Sequence, residues 1–423
     1  MHAVPLSHPP EVLMKLYSCP ACGGFMEWDG ESGGLKCRNC GTKQRAEDSA
    51  PSGWHHYGTL PGFPGLQDLP ERDVRCPGCG AGIKTDAKAV SAVCPCCGAG
   101  IVLDRRQLSF ARPDGAAPVR IRGDRVRLLI KEWCARHPLA PDLTSKYLEV
   151  KFISPQYIPF WVFSARVTAK YSGRGGRNRT VRERNAQGQT VSRTAVDWHP
   201  IDGTVSAELE SSGVPGDRDI DGSFSDFLYS STPQDSFRAW QPEYFAGSWS
   251  CLPTVQAGDA EAAAHDGMIP EIKRRTVTEL SRKWSHIDFR TFSVSFSDTA
   301  WRLVQIPAYF VICRYHGGIY VEAVNGVTGE IRGTCPASFL RVTVSYAIAA
   351  AVMLSVFLFA DYGSCGGRGC LTESGSILTD ALIAAVIAAG VWVLIYIALM
   401  MRVLGTDDLK KSPWLRGIME KTG

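Results

Sequence analysis

Several kinds of protein are excluded by what this 423-residue sequence lacks. Its first residues, Met1-His2-Ala3-Val4-Pro5, hold no basic stretch followed by an apolar one, which predicts a chain that is not secreted. It has no Walker A loop, no GxGxxG after a strand, no GxSxG and no HExxH, so no signature proposes a reaction and the chain reads as a non-enzyme. Charge of one sign is also missing. The 46 Lys and Arg against 42 Asp and Glu leave +4, too little by itself to imply nucleic acid. With 45 % hydrophobic and 21 % charged residues and a mean hydropathy near zero, a wholly disordered chain and a polytopic membrane protein are both excluded.

What is present in excess is cysteine, fifteen residues of it. Cys19, Cys22, Cys37 and Cys40 recur, displaced by 57 residues, as Cys76, Cys79, Cys94 and Cys97, and both units read C-x2-C-x14-C-x2-C. A CxxC knuckle offers two thiolates from one tight turn, and two knuckles about fifteen residues apart close a tetrahedral zinc site. Gly23, Gly41, Gly80 and Gly98 follow the four knuckles and let backbone N–H groups turn toward the sulfurs. Two structural zinc ions are expected, because four thiolates leave no coordination position for water or substrate. The 57-residue alignment selects Cys97 as the ligand and leaves neighbouring Cys96 a spectator.

The expected boundaries are a first zinc ribbon at 15–45, a Pro- and Gly-rich spacer at 46–71, a second ribbon at 72–105 and a linker at 106–118. A domain follows at 119–338. There, Asp124–Arg136 has helical apolar spacing, and Asp259–Trp284 reads as a helix interrupted near Pro270. Tyr147–Ile153, Tyr157–Tyr171, Phe289–Phe296, Ala300–Tyr315 and Ile319–Val324 read as strands. Thr180–Arg184 and Thr190–Trp198 flank a hairpin turn at Asn185-Ala186-Gln187-Gly188. Within this hairpin, Arg174, Arg177, Arg179, Arg182 and Arg184 form either a contact for phosphates or lipid headgroups or one solvated face. Asp217–Gly222 matches the opening of a calcium loop, but Leu228 stands where a glutamate ligand belongs, so it reads as a surface loop.

Val342–Ala360 and Ala381–Met401 carry no charge over 19 and 21 residues and read as two transmembrane helices. The intervening loop, 361–380, has one basic residue, Arg368, whereas the tail at 402–423 has five. The excess predicts both termini on the cytoplasmic side of an inner membrane. In the loop, Cys365 and Cys370 suit either a disulfide or two free thiols. Alanines in both segments would let helices pack in a homo- or hetero-oligomer, or simply face lipid. The expected architecture is thus multidomain: two N-terminal rubredoxin-like zinc ribbons, a central α+β domain rich in antiparallel strands, and a C-terminal two-helix transmembrane hairpin.

The paired ribbons, CPACGG…CRNCGT and CPGCGA…CPCCGA, resemble those of bacterial TFIIB-type zinc-ribbon membrane proteins. The landmarks Tyr157-Ile158-Pro159-Phe160-Trp161 and Glu243-Tyr244-Phe245-Ala246-Gly247 extend the likeness, while Ser211–Asp235 departs from it. The resemblance implies a non-enzymatic anchor that recruits cytoplasmic protein partners to the inner membrane, of the SPFH (flotillin-like) or phage-shock envelope-stress type. The alternative it leaves open is a membrane-tethered zinc-ribbon protein that binds nucleic acid.

Overall fold

The computed structural model describes residues 14–46, 49–50, 53–56, 72–85, 89–103, 113–136, 148–184, 190–218, 222–315 and 318–336, with a few isolated positions between and up to 351. The chain divides into two compact units. The first comprises 1–120, 155–308 and 326–328; the second comprises 121–154, 309–325 and 329–423.

In the first unit the leading ribbon is built from β1 (Met14–Leu16), β2 (Met26–Asp29), β3 (Gly34–Cys37) and β4 (Lys43–Arg45), the last three forming their own antiparallel sheet. The spacer contributes β5 (His55–His56). The second ribbon contributes β6 (Arg72–Arg75), β7 (Gly82–Thr85), β8 (Ala89–Val93) and β9 (Gly100–Leu103). Then come β10 (Gly115–Ala116), β11 (Glu149–Arg184), β12 (Thr190–Glu210), β13 (Val214–Pro215), β14 (Arg238–Ala239), β15 (Trp249–Cys251) and β16 (His286–Tyr315). The main sheet runs β1-β9-β8-β15-β11-β16-β10-β14, with β12 and β13 also on β11 and β5 on β16.

The ribbons are therefore sewn into the body. Strand β9 pairs with β1 of the other ribbon, and β8 pairs with β15 through Ser91↔Ser250. The Ser91 hydroxyl donates to the Ser248 carbonyl at 2.8 Å. In the first ribbon, the Trp28 indole N–H donates to Val119 O at 2.9 Å and its ring meets Tyr244 edge-on. Gly30 lies flush on the same segment: a Cβ there would stand 2.2 Å from Val119 O, which only glycine permits. The described parts of the spacer and linker pair with the body. His55 Nε2 lies 2.6 Å from Asp114 Oδ1, the second oxygen of Asp114 accepts from the Leu303 N–H at 2.8 Å, and β10 is fully buried. Trp54 is covered by the Arg302 guanidinium at 4.4 Å.

The large core is aromatic: Trp161, Trp240, Tyr157, Phe160, Phe163 and Phe245 are all but inaccessible. Within it Gln305 is matched on both sides, whereas Trp301 Nε1 has no hydrogen-bond partner among the described residues. Buried Gln305 accepts from Trp240 Nε1 at 3.2 Å and donates to Ser250 Oγ at 2.9 Å, removing the penalty of an unmade hydrogen bond. β11 and β12 form one hairpin in unbroken register from Ser164↔Glu210 to Arg184↔Thr190. Its alternation puts Arg166, Thr168 and Lys170 in solvent and Ala165, Val167 and Ala169 inside, as an antiparallel sheet with one wet face requires. Of the helices α1 (Gly123–Arg136), α2 (Gly222–Ser230) and α3 (Ala257–Leu280), the last packs along β12. It continues uninterrupted past Pro270, burying Ala260, Ala264, Met268 and Ile272 at helical intervals.

In the second unit α1 buries Val126, Ile130 and Cys134. The end of β16 is followed by β17 (Gly318–Asn325) and β18 (Ile331–Gly333), which pair through Glu322↔Gly333 and Val324↔Ile331. The Tyr309 hydroxyl donates to Ile121 O at 2.6 Å. Here Glu322 is completely buried, and among the described residues neither carboxylate oxygen has a hydrogen-bond partner. Cys134, Cys313 and Cys335 surround it; the Cys335 thiol donates to Cys134 O at 3.6 Å.

The membrane expectation is corrected. Among the described residues no helix is long and apolar enough to cross a bilayer. The longest, α3, carries Asp259, Glu261, Asp266, Glu271, Lys273, Arg274, Arg275 and Glu279, and α1 and α2 are too short. The fold is therefore not described by ribbons plus a two-helix transmembrane hairpin. An integral two-helix membrane partnership and an inner-membrane location with both termini cytoplasmic lose their basis with it. Residues 352–423 lie outside the described residues, and with them Ala381–Met401, most of Val342–Ala360, Cys365, Cys370 and the basic tail.

Candidate metal centres

Each ribbon brings its four thiols together. Cys19, Cys22, Cys37 and Cys40 form one cluster and Cys76, Cys79, Cys94 and Cys97 the other, the four sulfurs of each within 4.8 Å of one another. Across the knuckles, Cys19–Cys40 and Cys22–Cys37 stand at 3.5 and 3.6 Å, and Cys76–Cys97 and Cys79–Cys94 both at 3.7 Å. A tetrahedral zinc with bonds of about 2.3 Å places its sulfurs about 3.8 Å apart. The donor set and spacing fit two structural zinc ions, and exposed Cys96 stays outside the cluster.

The four knuckles share one backbone solution. In each, the first cysteine's N–H donates five residues ahead (Cys19 to Gly24, Cys37 to Thr42, Cys76 to Ala81, Cys94 to Ala99), and the glycine four residues on donates back to that cysteine. Gly23, Gly41, Gly80 and Gly98 take φ of 70°, 75°, 72° and 71°, the left-handed region that glycine enters without strain. This turn directs N–H groups at sulfur, as with Asn39 N–H to Cys37 Sγ at 3.4 Å. Thiolate charge is supported the same way at Cys40 and Cys94, whereas at Cys22 and Cys79 the N–H groups of Gly24 and Ala81 are outweighed by the neighbouring thiols, which push the thiol up to about 12. The Thr42 hydroxyl, 3.0 Å from Cys40 Sγ, together with the Thr42 N–H brings the Cys40 thiol down to about 6. Burial pushes the Cys94 thiol up, but the N–H groups of Cys97 and Cys96 outweigh it and leave it at about 6.

Each centre has a buried and an open side. Cys19, Cys37, Cys76 and Cys94, the first of each knuckle, are buried, whereas Cys22, Cys40 and Cys79 face solvent. The buried members belong to small cores. Cys76 and Cys94 pack with Ile83, Ala92, Ala99 and Ile101, and Phe25 of the other ribbon joins them. Arg38 ties the ribbons together: it pairs with Glu27 and donates to Gly98 O at 3.3 Å.

The other sequence candidates fall elsewhere. Asp217 is buried and accepts from the Thr254 hydroxyl at 3.3 Å, and α2 follows directly, so this stretch serves the fold. The arginines at 174–184 lie along the β11–β12 hairpin, as the alternation predicts, with the turn at 185–189 outside the described residues. Sequence reading misses the His55–Asp114 contact and the buried Glu322. Neither carries a local signal, because each depends on pairing across distant segments.

No family model matches the chain, and no curated protein or solved structure matches it either. The likeness to TFIIB-type proteins thus rests on the ribbons alone, and the chain is a zinc-ribbon protein with two four-cysteine sites.

Proposed function

We propose that this zinc-ribbon protein is a non-enzymatic adaptor that docks a partner protein on the paired knuckles. The observation that carries this reading is the chemistry of the exposed turns. Pro20-Ala21, Asn39, Pro77-Gly78 and Pro95-Cys96 are small or apolar, and the charge of Arg38 is already taken by Glu27. A rigid, nearly uncharged surface suits protein contact better than phosphate, which needs unpaired cations. The closed four-thiolate sites support a structural task for the metal.

The test is site-specific photo-crosslinking in cells, with the reactive group at Asn39 or Pro77. A discrete adduct of one recurring mass is expected at both positions and should vanish when Cys22→Ser removes a zinc ligand. Absence of any adduct at either position, or its persistence without zinc, would reject the adaptor reading.

A further inference from the structure

We infer that the outer stretch of the β11–β12 hairpin, residues 174–184 and 190–198, is a binding site for single-stranded nucleic acid. This goes beyond the protein-docking role and stands independently of it. From Arg174 to Trp198 the sequence holds six arginines, at 174, 177, 179, 182, 184 and 193, against two acids, Glu183 and Asp197. The register sorts them by face. The pairs Arg182↔Ser192, Arg184↔Thr190 and Gly176↔Trp198 put Arg174, Arg182, Arg184 and Trp198 on one side of the ribbon. Arg177, Arg179 and Arg193, the last opposite Val181, lie on the other.

Pairing of charge stops toward the end of the hairpin. Nearer its base Arg166 meets Glu208 at 3.3 Å and Asp298 at 3.4 Å, and Arg302 meets Glu210 at 2.8 Å. Beyond, Arg179, Arg182, Arg184 and Arg193 are exposed, and among the described residues none has an acidic partner. Exposed guanidinium groups, two on each face of the ribbon, are the chemistry that phosphates recruit. Arg182 and Arg184 stand about 7 Å apart along the strand and can follow a phosphodiester chain.

Aromatic rings sit among these cations. Trp198 is 41 % exposed, with the Arg174 guanidinium, which pairs with Asp288 at 2.5 Å, 5.0 Å over its ring and His286 at 6.3 Å. On the opposite side Arg177 lies 4.9 Å over Trp284, which His199 meets at 5.4 Å. An exposed indole on the same face as the arginines at 182 and 184 is a stacking platform for an unpaired base, which a duplex does not offer. Cations on both faces also select against a flat lipid surface, which reaches one face at a time, and favour a flexible strand that wraps the ribbon.

The experiment uses the full zinc-loaded chain and a fluorescein-labelled single-stranded 20-mer of mixed sequence, as DNA and as RNA, read by fluorescence anisotropy. Binding is expected at 50 mM salt and should weaken steeply by 200 mM. The triple variant R179A/R182A/R184A should lose at least tenfold in affinity. Its log–log salt slope should shrink by about 2, near 0.7 for each phosphate no longer neutralised. W198A should lose about tenfold with the slope unchanged. Zinc content and the circular dichroism spectrum report on folding, and the salt slope of the unaltered chain tests the charge pairing without any variant. No binding at 50 mM salt, full affinity in the triple variant or in W198A, tighter binding of the matching duplex, or capture of vesicles containing phosphatidylglycerol in place of the oligonucleotide would each overturn the inference.

Discussion

Replacing Cys94 by serine should release one of two zinc ions per chain and unfold far more than one ribbon. Cys94 is buried in the cluster that includes Ile83, Ala92 and Ile101, and the strands on either side of its knuckle are β8 and β9. β8 holds β15 of the body, and β9 holds β1 of the first ribbon, so collapse at this knuckle strips an edge from the main sheet and uncovers Phe25. Structural zinc in small modules contributes roughly 10–16 kcal/mol of apparent folding free energy. That is comparable with the whole net stability of a typical domain, about 5–15 kcal/mol. Zinc measured by plasma mass spectrometry should fall from two to one per chain, and the thermal transition should broaden and drop by more than about 10 °C, an order of loss consistent with several kcal/mol. Cys96→Ser, one step outside the cluster, should keep both ions and the wild-type transition. Two zinc ions in the Cys94 variant would disprove the ligand assignment.

Glu322→Gln should stabilise the second unit at alkaline pH by several kcal/mol while doing little in acid. Burial pushes the Glu322 carboxyl from its ordinary 4.5 up to about 8, and Cys335 adds to the rise. The folded state therefore keeps a proton between these two values that the unfolded state has released. The resulting stability is complete below about pH 4.5 and is lost as pH rises to about 8. The gap corresponds to roughly 5 kcal/mol at 1.36 kcal/mol per pH unit. Glutamine keeps the shape and removes the titration, so the difference between variant and wild type should grow from about pH 5 to about pH 8 and level off above that in urea unfolding curves. Curves that stay parallel across that range would show that the carboxyl does not titrate in this window.

The ribbons are legible in the sequence because their information is local. Each ligand set spans some twenty residues, and the φ-positive glycines stand at fixed offsets from the cysteines. The hairpin is legible for a related reason, since alternation marks both its strands and its faces. Tyr157–Tyr171 and Thr180–Arg184 prove to be stretches of one strand, and Phe289–Phe296 joins Ala300–Tyr315 across Asp298, whose φ of 53° marks the break that the pattern registers as a gap. The spacer and linker read as irregular because two-residue strands such as β5 and β10 carry no periodicity. They are fixed by partners at 300–305 and 238–239 that no local window contains. The apolar runs at 342–360 and 381–401 lie almost wholly outside the described residues, and no helix among the described residues is long and apolar enough to span a bilayer.

The two-sided burial of the zinc sites has a consequence for the order of assembly. Each metal closes a loop between cysteines 21 positions apart, whereas Ser91 must find Ser248 across 157 positions and Tyr17 must find Glu243 across 226. Short loops close faster and at lower entropic cost than long ones. Because Cys22, Cys40 and Cys79 stay on the solvent side, an ion can be taken up by a free hairpin and later walled in from behind as the sheet forms. Refolding started without zinc should therefore stall before the main sheet assembles and resume at a rate set by zinc concentration when the ion is added, as stopped-flow tryptophan fluorescence can follow. The metal then acts as the first fixed point of the chain, and the body is cast around it.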